Sequence, residues 1–130
     1  MQPLTGYRKL IVYQKAKELT IMVYTVSKQF PREEIYGLTS QARRASASIM
    51  LNIVEGYSKG STKEFARFLY IAIGSSNELT ACLELTFDLG YLSQPAYNQV
   101  AHLHLETAKL LYAFQNSLRR RIKERESLRT

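Results

Sequence analysis

The sequence predicts an all-α fold: an antiparallel up-down-up-down four-helix bundle whose copies associate as a homo-oligomer. Three observations lead there. Apolar residues recur by three and four along four long segments, the period of a helix rather than of a strand. Short connections marked by proline, glycine or a capping serine separate those segments, so successive helices lie side by side. The stretch 37–56, GLTSQARRASASIMLNIVEG, is small or apolar around most of its circumference. A helix of that kind is surrounded by protein on more than one side.

The first helix covers about residues 9–29. Val12, Ala16, Leu19, Val23, Val26 and Phe30 form its seam, which Ile11 and Met22 widen. Lys15, Lys17, Glu18 and Lys28 lie off the seam and meet water. Residues 1–6 read as a loose arm broken by Pro3 and Gly6. Pro31 ends the helix, because the residue before a proline is pushed out of the helical region.

The second helix, about 38–56, follows a brief turn over 32–36 closed by Gly37, with Thr39 or Ser40 as its cap. Leu38, Ala42, Ala45, Ile49, Ile53 and Gly56 make one apolar stripe; Ala47, Met50 and Val54 make a second beside it. A third stripe is polar: Gln41, Arg44, Ser48, Asn52 and Glu55. Antiparallel pairing with the next helix sets Arg44 opposite Glu78, and Glu55 opposite Lys63 or Arg67. The expected structural polar network is therefore Arg44, Asn52, Glu55 and Glu78, buried hydrogen bonds that fix register. A ligand site and a contact between subunits are the other readings of that stripe.

The third helix, about 61–89, opens with a capping box, Ser61 followed three residues later by Glu64. Phe65, Leu69, Ala72, Ser76, Leu79, Leu83 and Thr86 share one face. Gly74-Ser75-Ser76 removes bulk in mid-helix. Glycine there costs about 1 kcal/mol relative to alanine, which predicts the close approach of a neighbouring backbone. Gly90 suits the left-handed residue after the helix, with Tyr91 folding back. Ser93 caps the fourth helix, about 94–126, and Pro95 fits its first turn. Tyr97, Val100, His104, Thr107, Leu111, Phe114, Leu118 and Ile122 form its seam, and its last turns are expected to project beyond the bundle.

A chain of 130 residues suits one domain, and 45% hydrophobic residues suffice for a core. The single cysteine, Cys82, excludes an intramolecular disulfide and reads as a small core residue. The start, MQPLTGYRKL, lacks a basic segment followed by an apolar run. No stretch of about 20 apolar residues offers a membrane span. The expected location is the cytoplasm, with no membrane partner.

The net charge of +7 is unevenly placed: the extension 119–130 holds six basic and two acidic residues. That asymmetry points to phosphate-bearing partners, RNA or DNA, held by Arg119, Arg120, Arg121, Lys123 and Arg125, with Arg43 joining them if exposed. No base-reading motif is present, so such binding is backbone-directed. Nine tyrosines and five phenylalanines could stack on bases, but at helical spacing they read as core or interface.

Enzyme chemistry finds little footing. No Glu-x-x-His pair for a di-iron site occurs. His102 and His104 lie about 200° apart around a helix, so they cannot share a metal; one faces solvent and the other packs. No nucleophile elbow and no phosphate-cradling glycine motif is visible. No catalytic, cofactor-binding or metal-ligating residue is assigned, and the chain is read as non-enzymatic. A scaffold ring that binds protein without nucleic acid is the alternative, and a small-molecule site at the polar stripe a further one.

Five segments also carry a resemblance: VYQKAKEL, FPREEIYGLTSQARRA, NIVEG, KEFARFLYIAIGSSNEL and DLGYLS. Together they resemble the four-helix-bundle proteins encoded in intervening sequences of bacterial 23S ribosomal RNA genes, the S23 proteins. The resemblance covers about residues 7–118. Tyr13 stands where tryptophan is frequent, and Met50-Leu51 where Pro-Ser is frequent. It implies a closed ring, a homopentamer, and it implies fold and assembly rather than an activity. The family is similar in turn to the basic accessory proteins of diversity-generating retroelements, which act with a reverse transcriptase and RNA.

Overall fold

The computed structural model describes residues 4–129. Pro3, with the two residues before it in the expected N-terminal arm, and Thr130 of the basic extension lie outside the described residues. Four helices carry the chain: α1 Ile11–Val26, α2 Leu38–Ser58, α3 Thr62–Asp88 and α4 Gln94–Leu128. Short 3-10 turns occupy Gly6–Lys9, Ser27–Gln29 and Arg32–Glu34, and no strand occurs among the described residues. α1 packs on α2 and α4, and α3 packs on the same two helices.

The core forms where the four seams meet. Leu19, Val23, Ile49, Ile53, Leu69, Leu79, Val100 and Leu111 are fully buried. Each side chain of that kind contributes about 1.5–3 kcal/mol when withdrawn from water. Ile11, expected to widen the α1 seam, is exposed instead. It is the first residue of α1, and Val12 beside it takes the inward position.

Local chemistry sets the helix ends. Past α1, Phe30 is extended (φ −68°, ψ 148°), as the residue before a proline must be. Neither Thr39 nor Ser40 caps α2. The cap position is Gly37, which has no side chain, and a carboxylate oxygen of Glu34 accepts the Leu38 N–H at 3.1 Å. A carboxylate at a helix N-terminus also opposes the positive end of the dipole. α2 then runs unbroken through Met50 and Leu51.

Ser61 Oγ accepts the Glu64 N–H at 3.1 Å and starts α3. At its far end Gly90 takes φ +80°. The Gly90 N–H reaches Phe87 O, and the Tyr91 N–H reaches Thr86 O, each at 2.9 Å. Those two bonds satisfy carbonyls that the last turn leaves open. Ser93 Oγ accepts the Ala96 N–H at 3.3 Å and starts α4.

α2 and α3 approach closely at Gly56. A Cβ placed there would stand 2.7 Å from Phe68 Cβ and 2.9 Å from Phe65 Cδ1. Gly74 behaves otherwise. A Cβ there meets nothing within 4 Å, so the close backbone expected from its position is absent. α4 has 35 residues, about 50 Å at the usual rise. Past Leu118 only Ile122 is half-buried, and residues 119–121 and 123–129 are exposed, in keeping with last turns that extend past the start of α3. Arg125 Nη1 reaches back to donate to Thr62 Oγ1 at 3.4 Å.

Candidate nucleic-acid interface

Near its C-terminus α4 turns one stripe inward and the rest outward. Leu118 is buried and Ile122 half-buried, while Arg119, Arg120, Arg121, Lys123 and Arg125 are exposed. The helix period therefore spreads the cations over its solvent face. Three surface grooves meet at Arg119. The first, about 380 Å³, lies between α3 and α4 and includes Tyr70, Tyr112, Gln115 and Asn116. The second, about 370 Å³, is lined by Asn116, Arg119, Arg120 and Lys123. The third reaches back along α3 to Lys63 and Arg67. There Arg67 Nε bonds Glu64 at 2.9 Å and its guanidinium lies 4.5 Å over the Phe68 ring.

Arg43 does not join this surface. Its Nε donates to Ser27 Oγ at 2.8 Å, and its guanidinium lies 4.9 Å over the Tyr24 ring. It is half-buried where the end of α1 meets the start of α2. Arg125 sits by Thr62, at the other end of α2. The fold thus separates Arg43 from the α4 cations by the length of the bundle.

The expected polar network does not form as a unit. Glu78 accepts from Gln41 Nε2 at 2.7 Å, and Arg44, one turn along α2, is exposed and has no ion pair among the described residues. Glu55 pairs with Lys59, the residue that follows its own helix, at 3.4 Å, in place of Lys63 or Arg67. Asn52 Nδ2 donates to the Ser48 carbonyl at 2.8 Å, and Ser48 Oγ meets Ser75 Oγ at 2.7 Å. The antiparallel register is the expected one, since Gln41 and Arg44 are neighbours on one face. Within it the shorter amide, not the guanidinium, faces Glu78.

The two histidines go separate ways. His102 is exposed and its Nε2 lies 2.9 Å from Glu106, which Lys15 also approaches at 3.2 Å. The Lys15 ammonium holds the Glu106 carboxyl below its usual range and is itself raised by that carboxylate. His104 is buried with Nε2 2.9 Å from Ser76 Oγ. Burial lowers its pKa, against the opposing effect of the Ser76 backbone. Burial likewise raises the Cys82 thiol. Among the described residues no three His, Cys, Asp or Glu side chains are placed to hold a metal ion. No helix there is long and apolar enough to cross a membrane.

Sequence reasoning passed over Gln115. It is buried to 7% exposure, lines the first and third grooves, and makes no hydrogen bond to a described residue. A signal existed: Gln115 stands four residues after Leu111 and three before Leu118, a polar group at core spacing.

These helices, seams and caps define a small all-α protein of four helices. The chain belongs to the 23S rRNA-intervening sequence protein family, whose pattern matches residues 8–113. One similar solved structure is a protein of unknown function from the S23 ribosomal protein family of Bacteroides thetaiotaomicron. The two are 26% identical with a TM-score of 0.75, over 82% of this chain and 96% of that one. No curated protein matches the chain. Arg119 to Arg125 lie beyond the residues that the family pattern matches.

Proposed function

We propose that this chain is a non-enzymatic, cytoplasmic protein that binds RNA or DNA through phosphate contacts. In this reading up-down-up-down bundles associate into a ring, five copies by the family resemblance. The observation that carries it is the exposed set Arg119, Arg120, Arg121, Lys123 and Arg125, spread over one end of α4 and continuous with two basic grooves. Each cation that meets a phosphate displaces a condensed counterion, which is favourable and salt-dependent. A ring repeats the cationic end around its axis, so weak contacts add as avidity.

Association of copies has its own support. Leu51 is 57% exposed in a single chain, beside half-buried Met50 and Val54. Apolar surface of that kind on adjacent turns favours a protein partner. It also supports the alternative, a scaffold ring that binds protein alone.

Titration of labelled single-stranded RNA at several salt concentrations separates the two. Five phosphate contacts give a log–log slope of about −3.5. A variant with all five cations changed to glutamine should lose that slope and keep its helicity. Binding that is absent, or indifferent to salt, rejects the nucleic-acid reading and leaves the scaffold.

A further inference from the structure

We infer that the groove between α3 and α4 takes an unpaired nucleotide, its base stacked on tyrosine and its phosphate on Arg119. The inference rests on the nucleic-acid reading above and adds to it a preference for single strands.

Four features of the groove support it. Tyr70 of α3 and Tyr112 of α4 line it at 68% and 46% exposure, and neither ring contacts another ring or a cation among the described residues. Exposed aromatic faces of this kind are what unpaired bases stack on, whatever their sequence. Gly74, one turn along α3 from Tyr70, lines the same groove, and the absence of a side chain there leaves the groove open.

Gln115 forms the second feature. The residue is 7% exposed, and its amide, which has no protein partner, reaches solvent at the groove. Water in the groove satisfies that amide, and a ligand with both donors and acceptors can replace the water. A base edge offers both; an aliphatic or purely anionic ligand does not. Asn77 and Asn116, exposed at the rim, extend the same amide chemistry.

The third is charge. No carboxylate lines the groove, and Arg119 belongs both to it and to the basic groove with Arg120 and Lys123. A strand with its base between α3 and α4 therefore leads its phosphates onto the cationic face of α4. Size is the fourth: about 380 Å³ falls within the range of small-ligand clefts. A duplex keeps its bases stacked inside and cannot present one to this groove, although its phosphates can still meet the arginines.

The test compares a labelled oligouridine with a duplex of equal length, each titrated against the full chain by fluorescence anisotropy. Wild type should bind the single strand more tightly. Tyr70→Ala and Tyr112→Ala should each weaken single-strand binding about tenfold and leave duplex binding unchanged, while Tyr70→Phe keeps wild-type affinity. Gln115→Leu should also weaken the single strand selectively. Both tyrosines are substantially exposed, so their truncation spares the core, and thermal unfolding verifies this. Equal loss for both nucleic acids, or no loss for either, overturns the inference while the cationic surface stands. So does a change in sedimentation mass with binding intact, which would assign the groove to contact between copies. If wild type binds neither nucleic acid, the broader reading falls and takes this one with it.

Discussion

The two helical glycines Gly56 and Gly74 respond oppositely to an added methyl group. Alanine is favoured over glycine within a helix by about 0.8–1.0 kcal/mol, and that gain applies at both sites. At Gly74 nothing opposes it, because the new Cβ meets no atom within 4 Å. Gly74→Ala should therefore stabilise the chain by about 1 kcal/mol, a rise in melting temperature of about 3–5 °C for a domain of this size. At Gly56 the Cβ would stand 2.7 Å from Phe68 Cβ. That atom is bonded to the α3 backbone, so relief requires the helix to shift and not merely a rotamer to turn. Overpacking of this sort costs about 1–3 kcal/mol. Set against the helix gain, Gly56→Ala ranges from neutral to a loss of about 2 kcal/mol. Urea and thermal unfolding followed by circular dichroism read both changes. A destabilised Gly74→Ala would mean that a backbone or a second copy covers the site. A stabilised Gly56→Ala would mean that α2 and α3 are not in close contact there.

Two further outcomes follow from individual side chains. Burial lowers the pKa of His104 below its ordinary 6.5, so on acidification the unfolded chain takes up a proton before the folded one does. Stability from this residue is complete above that value and declines as pH falls through it, by at most about 1.4 kcal/mol per pH unit. Melting temperatures from about pH 7.5 to about pH 5.5 should fall more steeply for wild type than for His104→Gln, and equal slopes would remove His104 as the cause. Arg43→Ala should lower stability by about 1–2 kcal/mol through the lost bond to buried Ser27. RNA affinity should not change, and a large loss in the same titration would return Arg43 to the binding surface.

Much of the bundle was legible because its signals are local or periodic. The α1 seam from Val12 to Phe30 is buried throughout. Ser61, Ser93 and Gly90 act at the helix ends where their residue types place them. What escaped depends on neighbours distant in sequence or on one turn of rotation. The capping of α2 passed to Glu34, which reaches forward from a separate turn. Periodicity puts Gln41 and Arg44 on one face, and only packing decides which of them meets Glu78. Ile11 carried the apolar signal of a core residue, yet being first in its helix left it uncovered. Gly74 has an ordinary reading, backbone contact, that only coordinates correct. The candidate interface was half visible. The cations of 119–125 stand out in the sequence. The groove beside them depends on α3 and α4 lying together, and its polar lining residue Gln115 sits within a helix face otherwise read as core.

Ultraviolet cross-linking of the full chain to single-stranded RNA, with the adducts located by mass spectrometry, tests the central claim most directly. Adducts should fall on Tyr70 and Tyr112 and on the peptide carrying Arg119 to Arg125, and should fade as salt is raised. Adducts confined to Tyr24 and the surroundings of Arg43, or none above an unrelated basic protein, would contradict the assignment of this end of the bundle to nucleic acid.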